Sequence, residues 1–190
     1  MNETLNLLAK RYTCRDYSER IPETKDLEAI AQAALQAPSA YNGQPWHIVL
    51  IHQKDLIEQM NSESLEIIKE VPAYQDFYKR IQERGGAVFY HAPSMVLVLK
   101  KTENTEDKVV SMDAGIVTGN VALAATSLGL STTICASGGI VFQSEKAQEW
   151  EQKLKFPKGY TFGIAILIGY AKNDNGKPHE LDQSKVTWIR

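Results

Sequence analysis

A chain of 190 residues with 43% apolar and 23% charged side chains is long enough to bury one core and too ordinary in composition to be disordered or collagen-like. Its 21 basic and 23 acidic residues give a formal charge of −2, which leaves no electrostatic footprint for nucleic acid or an anionic membrane. Cys14 and Cys135 are the only cysteines and form no CxxC pair, so neither a disulfide framework nor a zinc cluster is suggested.

The opening MNETLNLLAKR lacks an apolar signal core, and GIVTGNVALAATSLGL is interrupted by Thr118, Asn120, Thr126 and Ser127. No membrane span and a cytoplasmic location are therefore expected. Leu5 and Leu8 at helical spacing, behind Asn2 as N-cap, predict a short helix ending near Lys10 and Arg11. In KDLEAIAQAALQ, residues Leu27, Ile30, Ala31, Ala34 and Leu35 form one apolar stripe, with Pro38 beyond its end. WHIVLI reads as a strand. DLIEQMNSESLEIIKE and YQDFYKRIQERG read as helical pieces broken near Pro72, and SMVLVLKK as a second strand.

VVSMDAGIVTGNVALAATSLGL predicts a long helix, apolar nearly all round and so covered on every side, which Gly129 ends. STTICA is a strand, SEKAQEWEQKL an amphipathic helix opened by Ser144, and YTFGIAILIGYA the last strand. The order predicts one α+β domain over 1–190 with a central mixed sheet flanked by helices.

Standard signatures are missing: there is no GxSxG elbow, no GxxxxGK[ST] loop and no GxGxxG after a strand. His47 and His52 lie five apart on a strand, hence on opposite faces, and His91 and His179 have no ligand partner at recognisable spacing, so no metal site is expected. Three segments remain. In RYTCR, Arg11 and Arg15 stand one helical turn apart around the Thr13 hydroxyl, a set that suits phosphate oxygens; cations at a helix end are the commoner explanation. In APSAYNGQPW, Ser39, Asn42 and Gln44 offer donors and acceptors on a loop fixed by Pro38 and Pro45, as a flat heterocycle requires, though such residues also build plain turns. In ASGGI, small residues after a strand let a ligand approach backbone N–H groups, and a tight turn explains Gly138 and Gly139 equally well.

In order along the chain, RYTCRDY, APSAYNGQPWHIVLI, FYHAPSMVLVL, DAGIVTGNVALAATSLGLSTTIC and GIAILIGYA resemble the FMN-dependent nitroreductase family, from about residue 9 to 171. The second motif is the most specific. The resemblance implies an intertwined homodimer with two FMN sites, each built from both subunits. Arg11, Thr13 and Arg15 would hold the phosphate end. Pro38, Ser39, Ala40 and Asn42, with Gln44 as a weaker candidate, would come from the partner and line the isoalloxazine. Ser137, Gly138 and Gly139 would place N–H groups near flavin N5 and the pyrimidine carbonyl.

Thr13 stands where the family commonly has serine, and Tyr12 at a position that is often basic. The tail, 172–190, is expected to pack on the partner subunit; it shows no clear Pro-x-x-Arg, leaving Lys185 or His179 as its phosphate ligand. The implied activity is a ping-pong oxidoreductase in which NAD(P)H delivers hydride to N5 and a small acceptor such as a nitroaromatic, a quinone or a flavin is then reduced, so no catalytic side chain is named. Tyr41, Tyr74, Phe77 and Tyr78 could cover the flavin, but their spacing fits a core better. The alternatives are a non-catalytic FMN store or sensor and an interaction protein dimerised by its apolar helix.

Overall fold

The computed structural model describes residues 2–103, 105–173 and 176–190. Helix α1 (Glu3–Lys10) starts where Asn2 Oδ1 accepts the Leu5 N–H at 3.0 Å, one of the donors a helix N-terminus leaves unpaired. Helix α2 (Thr24–Leu35) buries Leu27, Ile30 and Ala34 of the expected stripe, while Leu35 faces solvent. Strand β1 (Trp46–Ile51) leads into α3 (Lys54–Glu70), and Pro72 opens a short turn that separates α3 from α4 (Gln75–Glu83).

Strand β2 (Ser94–Lys101) and helix α5 (Asp107–Ser127) form the centre of the molecule, followed by β3 (Ser131–Cys135), α6 (Ala147–Lys153) and β4 (Tyr160–Gly169). Helix α5 stops through both bonds of a Schellman motif: Leu130 N–H donates to the Ala125 carbonyl at 2.9 Å and Gly129 N–H to Thr126 at 3.2 Å. Gly129 takes φ +74° there, a region a Cβ disfavours. The last helix begins at Ala147 and not at Ser144. Ser144 Oγ donates to the Val141 carbonyl and accepts from Lys146 N–H, which builds a turn ahead of the helix.

The four strands lie in the order β1-β2-β4-β3, and all three ladders are antiparallel. Among the described residues, the sheet expected to be mixed has parallel pairing only at the bridge between Thr13 and Thr132. Side chains alternate between two cores. Met95, Leu97, Leu99, Ala165 and Leu167 pack under α3, α4 and α6, whereas Val96, Val98, Ile166 and Ile168 pack under α2 and α5. Both faces are helix-covered, and each fully buried large apolar side chain contributes about 1.5–3 kcal/mol, so this double core dominates stability.

By length and composition alone helix α5, with 21 residues and a mean hydropathy of 1.3 over its most apolar 18, could cross a membrane despite its polar interruptions, a test that a core helix passes equally. In the fold it lies on the sheet, with Val110, Val117, Val121 and Ala125 in the core and Asp113 buried among them.

Candidate functional site

The basic motif lies on extended chain. Arg11 caps α1 with φ −60° and ψ 130°, and the backbone then runs beside β3, where Cys14 N–H donates to the Thr132 carbonyl at 2.9 Å. Alternate residues of extended backbone face opposite ways, so Thr13 and Arg15 are exposed and Arg11 half-buried on one side while Cys14 is buried on the other. The expected helical-turn spacing is thereby corrected: the three side chains share a face through a two-residue period. Neither arginine has an ion-pair partner among the described residues.

Tyr17 fixes the far end of this segment. Its buried hydroxyl lies 3.0 Å from that of Thr133 and donates to the Leu167 carbonyl at 3.3 Å, and burial pushes its pKa far above the ordinary phenol value. The motif is thus fastened to β3 and β4 together.

Ala136–Gly139 follows β3 at the same edge of the sheet. Gly138 and Gly139 are buried; a Cβ on Gly139 would stand 2.6 and 2.8 Å from ring carbons of Phe162, and one on Gly138 would run into the Ala165 methyl. The close approach these glycines permit is to β4, a packing reason beside the expected one. Burial raises the pKa of the Cys135 thiol, and the nearby N–H groups of Gly138 and Ser137 and the charge of Arg84 oppose that rise. Arg84, at the end of α4, donates to the Tyr90 hydroxyl at 2.7 Å. Nothing in the sequence around it, QERGG, singles this arginine out.

Residues 38–45 connect α2 to β1 at the opposite edge. Ser39 Oγ accepts the Gln44 N–H at 2.9 Å, and the Gln44 amide donates to Asn42 Oδ1 at 3.1 Å. Tyr41, Asn42 and Gln44 all adopt left-handed backbone, with φ of 53°, 53° and 45°, a strain that clusters at functional loops. Tyr41 is wholly exposed, whereas Tyr74, Phe77 and Tyr78 pack against the core. The loop also borders a cleft of about 550 Å³ lined by Ala40, Pro45, Lys101, Val110 and Asp113.

Within one chain these groups do not converge. Three strand spacings, roughly 14 Å in all, separate the edge carrying Arg11, Thr13, Arg15 and Ser137–Gly139 from the edge entered by the loop. Lys185 lies 3.8 Å from Asp182 in an exposed turn, and His179 is exposed in the tail. The tail passes Tyr12, whose ring a Cβ on Gly176 would strike.

Comparison with known proteins gives the family and the fold. An oxygen-insensitive NADPH nitroreductase of Helicobacter pylori is 38% identical over 96% of this chain and 95% of its own. An NAD(P)H FMN reductase of Bacillus subtilis is 28% identical over 98% of this chain and 73% of its own. A solved nitroreductase with bound FMN from Desulfitobacterium hafniense superposes with a TM-score of 0.93 at 39% identity, with 100% of each chain covered. Residues 8–170 match the model of the nitroreductase family, and the chain belongs to that family.

Proposed function

We propose that this protein is an FMN-dependent oxidoreductase, which takes electrons from NAD(P)H and passes them to nitroaromatics, quinones or related small acceptors. The observation that carries the reading is the split of the candidate residues between two sheet edges, one bearing a row of phosphate-binding groups and the other an exposed, left-handed polar loop. A second copy of the chain brings such halves together. When bound, FMN supplies the two-electron redox chemistry that links donor to acceptor in a ping-pong cycle.

The residues present fit that group. Arg11 and Arg15, both without ion-pair partners among the described residues, present guanidinium forks for the phosphate, with the Thr13 hydroxyl between them. Pro38, Ser39, Ala40, Asn42 and Gln44 line the ring held by the other subunit. Ser137, Gly138 and Gly139 offer backbone N–H groups to its electron-rich edge, and their seat on Phe162 and Ala165 keeps that backbone rigid. Lys185, with its side chain 80% exposed, is the tail residue that reaches the phosphate.

We read 1–190 as one domain acting as a homodimer. Met112 and Ile116 are exposed on α5, and an added Cβ at the adjacent Gly115 and Gly119 meets nothing within 4 Å, which leaves room for a close partner. Leu181, Val186, Trp188 and Ile189 are exposed in the tail, which supports its packing on the partner; Asp174 and Asn175 of that tail lie outside the described residues. The free thiols Cys14 and Cys135 fit the reducing cytoplasm.

The test is the visible absorption spectrum of the purified protein before and after anaerobic NADPH, then NADH. A flavin spectrum that bleaches with a donor and returns with a quinone or nitroaromatic is the expected result. Flavin that no donor bleaches would point to storage or sensing, and a colourless protein that takes up no FMN would defeat the proposal.

A further inference from the structure

The loop from Ser39 to Gln44 is tethered by a side chain that no motif includes. Asp113 lies in the first half of α5 and is only 4% exposed, and its Oδ1 accepts the Ala40 N–H at 3.2 Å. Its Oδ2 is sealed from solvent and has no hydrogen-bond partner among the described residues. The loop's other side-chain hydrogen bonds, from Gln44 to Ser39 and to Asn42, stay within the loop. Its backbone bonds, Asn42 N–H to the Ser39 carbonyl at 3.1 Å and Gly43 N–H to Ala40 at 2.9 Å, are also internal. Among the described residues, Asp113 is therefore the one side chain outside the loop that holds it.

Two features make that tether more than packing. Three loop residues stand in left-handed backbone, a conformation that persists only where the surroundings over-determine it. An acidic side chain buried in an otherwise apolar helix face, with one oxygen unpartnered, is disfavoured unless its other oxygen does something an apolar residue cannot. Here that is to accept a backbone N–H that the loop's own turn leaves over. The same helix turns Met112 and Ile116 outward, so one element carries both the exposed apolar stripe and the tether.

We propose that Asp113 is a positioning residue for flavin binding: through the Ala40 N–H it fixes the Ser39–Gln44 loop in the conformation that receives the isoalloxazine. This rests on the FMN reading above, and the experiment separates the two. FMN affinity is measured by flavin fluorescence, the ring's surroundings by visible circular dichroism of the bound flavin, and assembly by sedimentation.

Asp113→Ala is expected to raise the FMN dissociation constant about tenfold and to change the flavin dichroism, with sedimentation unaltered. Asp113→Asn keeps an acceptor oxygen and is expected to restore affinity to within about threefold of wild type. Ala40→Pro removes the donor from the other side. It suits the first position of the turn, because Ser39 is already extended at φ −142° and ψ 160°. In combination, Ala40→Pro and Asp113→Ala are expected to lose no more affinity than the weaker single variant, as groups sharing one interaction do.

Unchanged affinity and dichroism in a folded Asp113→Ala protein, or losses that simply add, would overturn the proposal. Should that variant not fold, Ala40→Pro with wild-type affinity and dichroism would overturn it equally. A wild-type protein that takes up no FMN would instead remove the reading on which it rests.

Discussion

Tyr17 ties the basic motif to two strands, and its chemistry makes that attachment sensitive to alkali. Burial disfavours the phenolate, as it does the thiolates of Cys14 and Cys135, so all three groups have pKa values above their ordinary ones. The unfolded chain gives up these protons first, from about pH 8.5 for the thiols and about pH 10 for the phenol, while the native state keeps them. Their contribution to stability is complete below those values and is lost as pH rises beyond them. Urea titrations at pH 7, 9 and 10.5 should show that decline. Tyr17→Phe should cost about 1 kcal/mol at pH 7 through its lost hydrogen bonds and flatten the alkaline part of the curve. The motif's residue types were legible in RYTCR, but its geometry was not. Helical and extended spacing both bring Arg11 and Arg15 to one side, but only extended chain puts Thr13 there too, and it is the pairing with Thr132, distant in sequence, that selects the extended form. Asp113 escaped for a related reason: its partner is a backbone N–H, which leaves no mark in the sequence.

Where local chemistry decides an element, the sequence was sufficient. The Asn2 cap, the stripe of α2 apart from Leu35, the break at Pro72 and the stop at Gly129 each rest on neighbours within a few positions, and each lies where expected. Ser144 failed as a helix start because its hydroxyl can bond in either direction, and here it also closes a turn backward onto Val141. The left-handed backbone of Tyr41, Asn42 and Gln44 was hidden as well, since of these three only Asn42 belongs to a type that favours it, while Gly43 between them stays at φ −71°. For α5 the C-terminal stop can be tested directly. Gly129→Ala keeps the Schellman hydrogen bonds available but forces a Cβ into φ +74°, and nothing else lies within 4 Å of that position. A loss of about 1 kcal/mol in thermal or denaturant unfolding, with no change in flavin binding, is the expected outcome.

At the scale of the whole molecule, the two-edged distribution of the site makes assembly and ligand binding one property. Ile116→Glu places a charge in the exposed stripe of α5 at a residue that is not itself a candidate ligand-binding group. It is expected to weaken dimerisation at least thirtyfold, roughly the effect of losing one hot-spot side chain, and FMN affinity should fall with it. Sedimentation and flavin fluorescence on the same samples decide the matter: a monomeric variant with wild-type affinity would place the whole site in one chain. The parallel bridge at Thr13 adds a metric consequence. Because the basic segment is pinned level with Thr132 while the glycine turn begins beyond Cys135, β3 itself sets the span from the Thr13 hydroxyl to Ser137. From Thr132 to Cys135 three residue steps of extended chain measure roughly 10 Å before the turn begins, and a strand held by hydrogen bonds to β4 and to Cys14 neither stretches nor slips. The strand is a ruler, and a molecule that touches both marks must match its length.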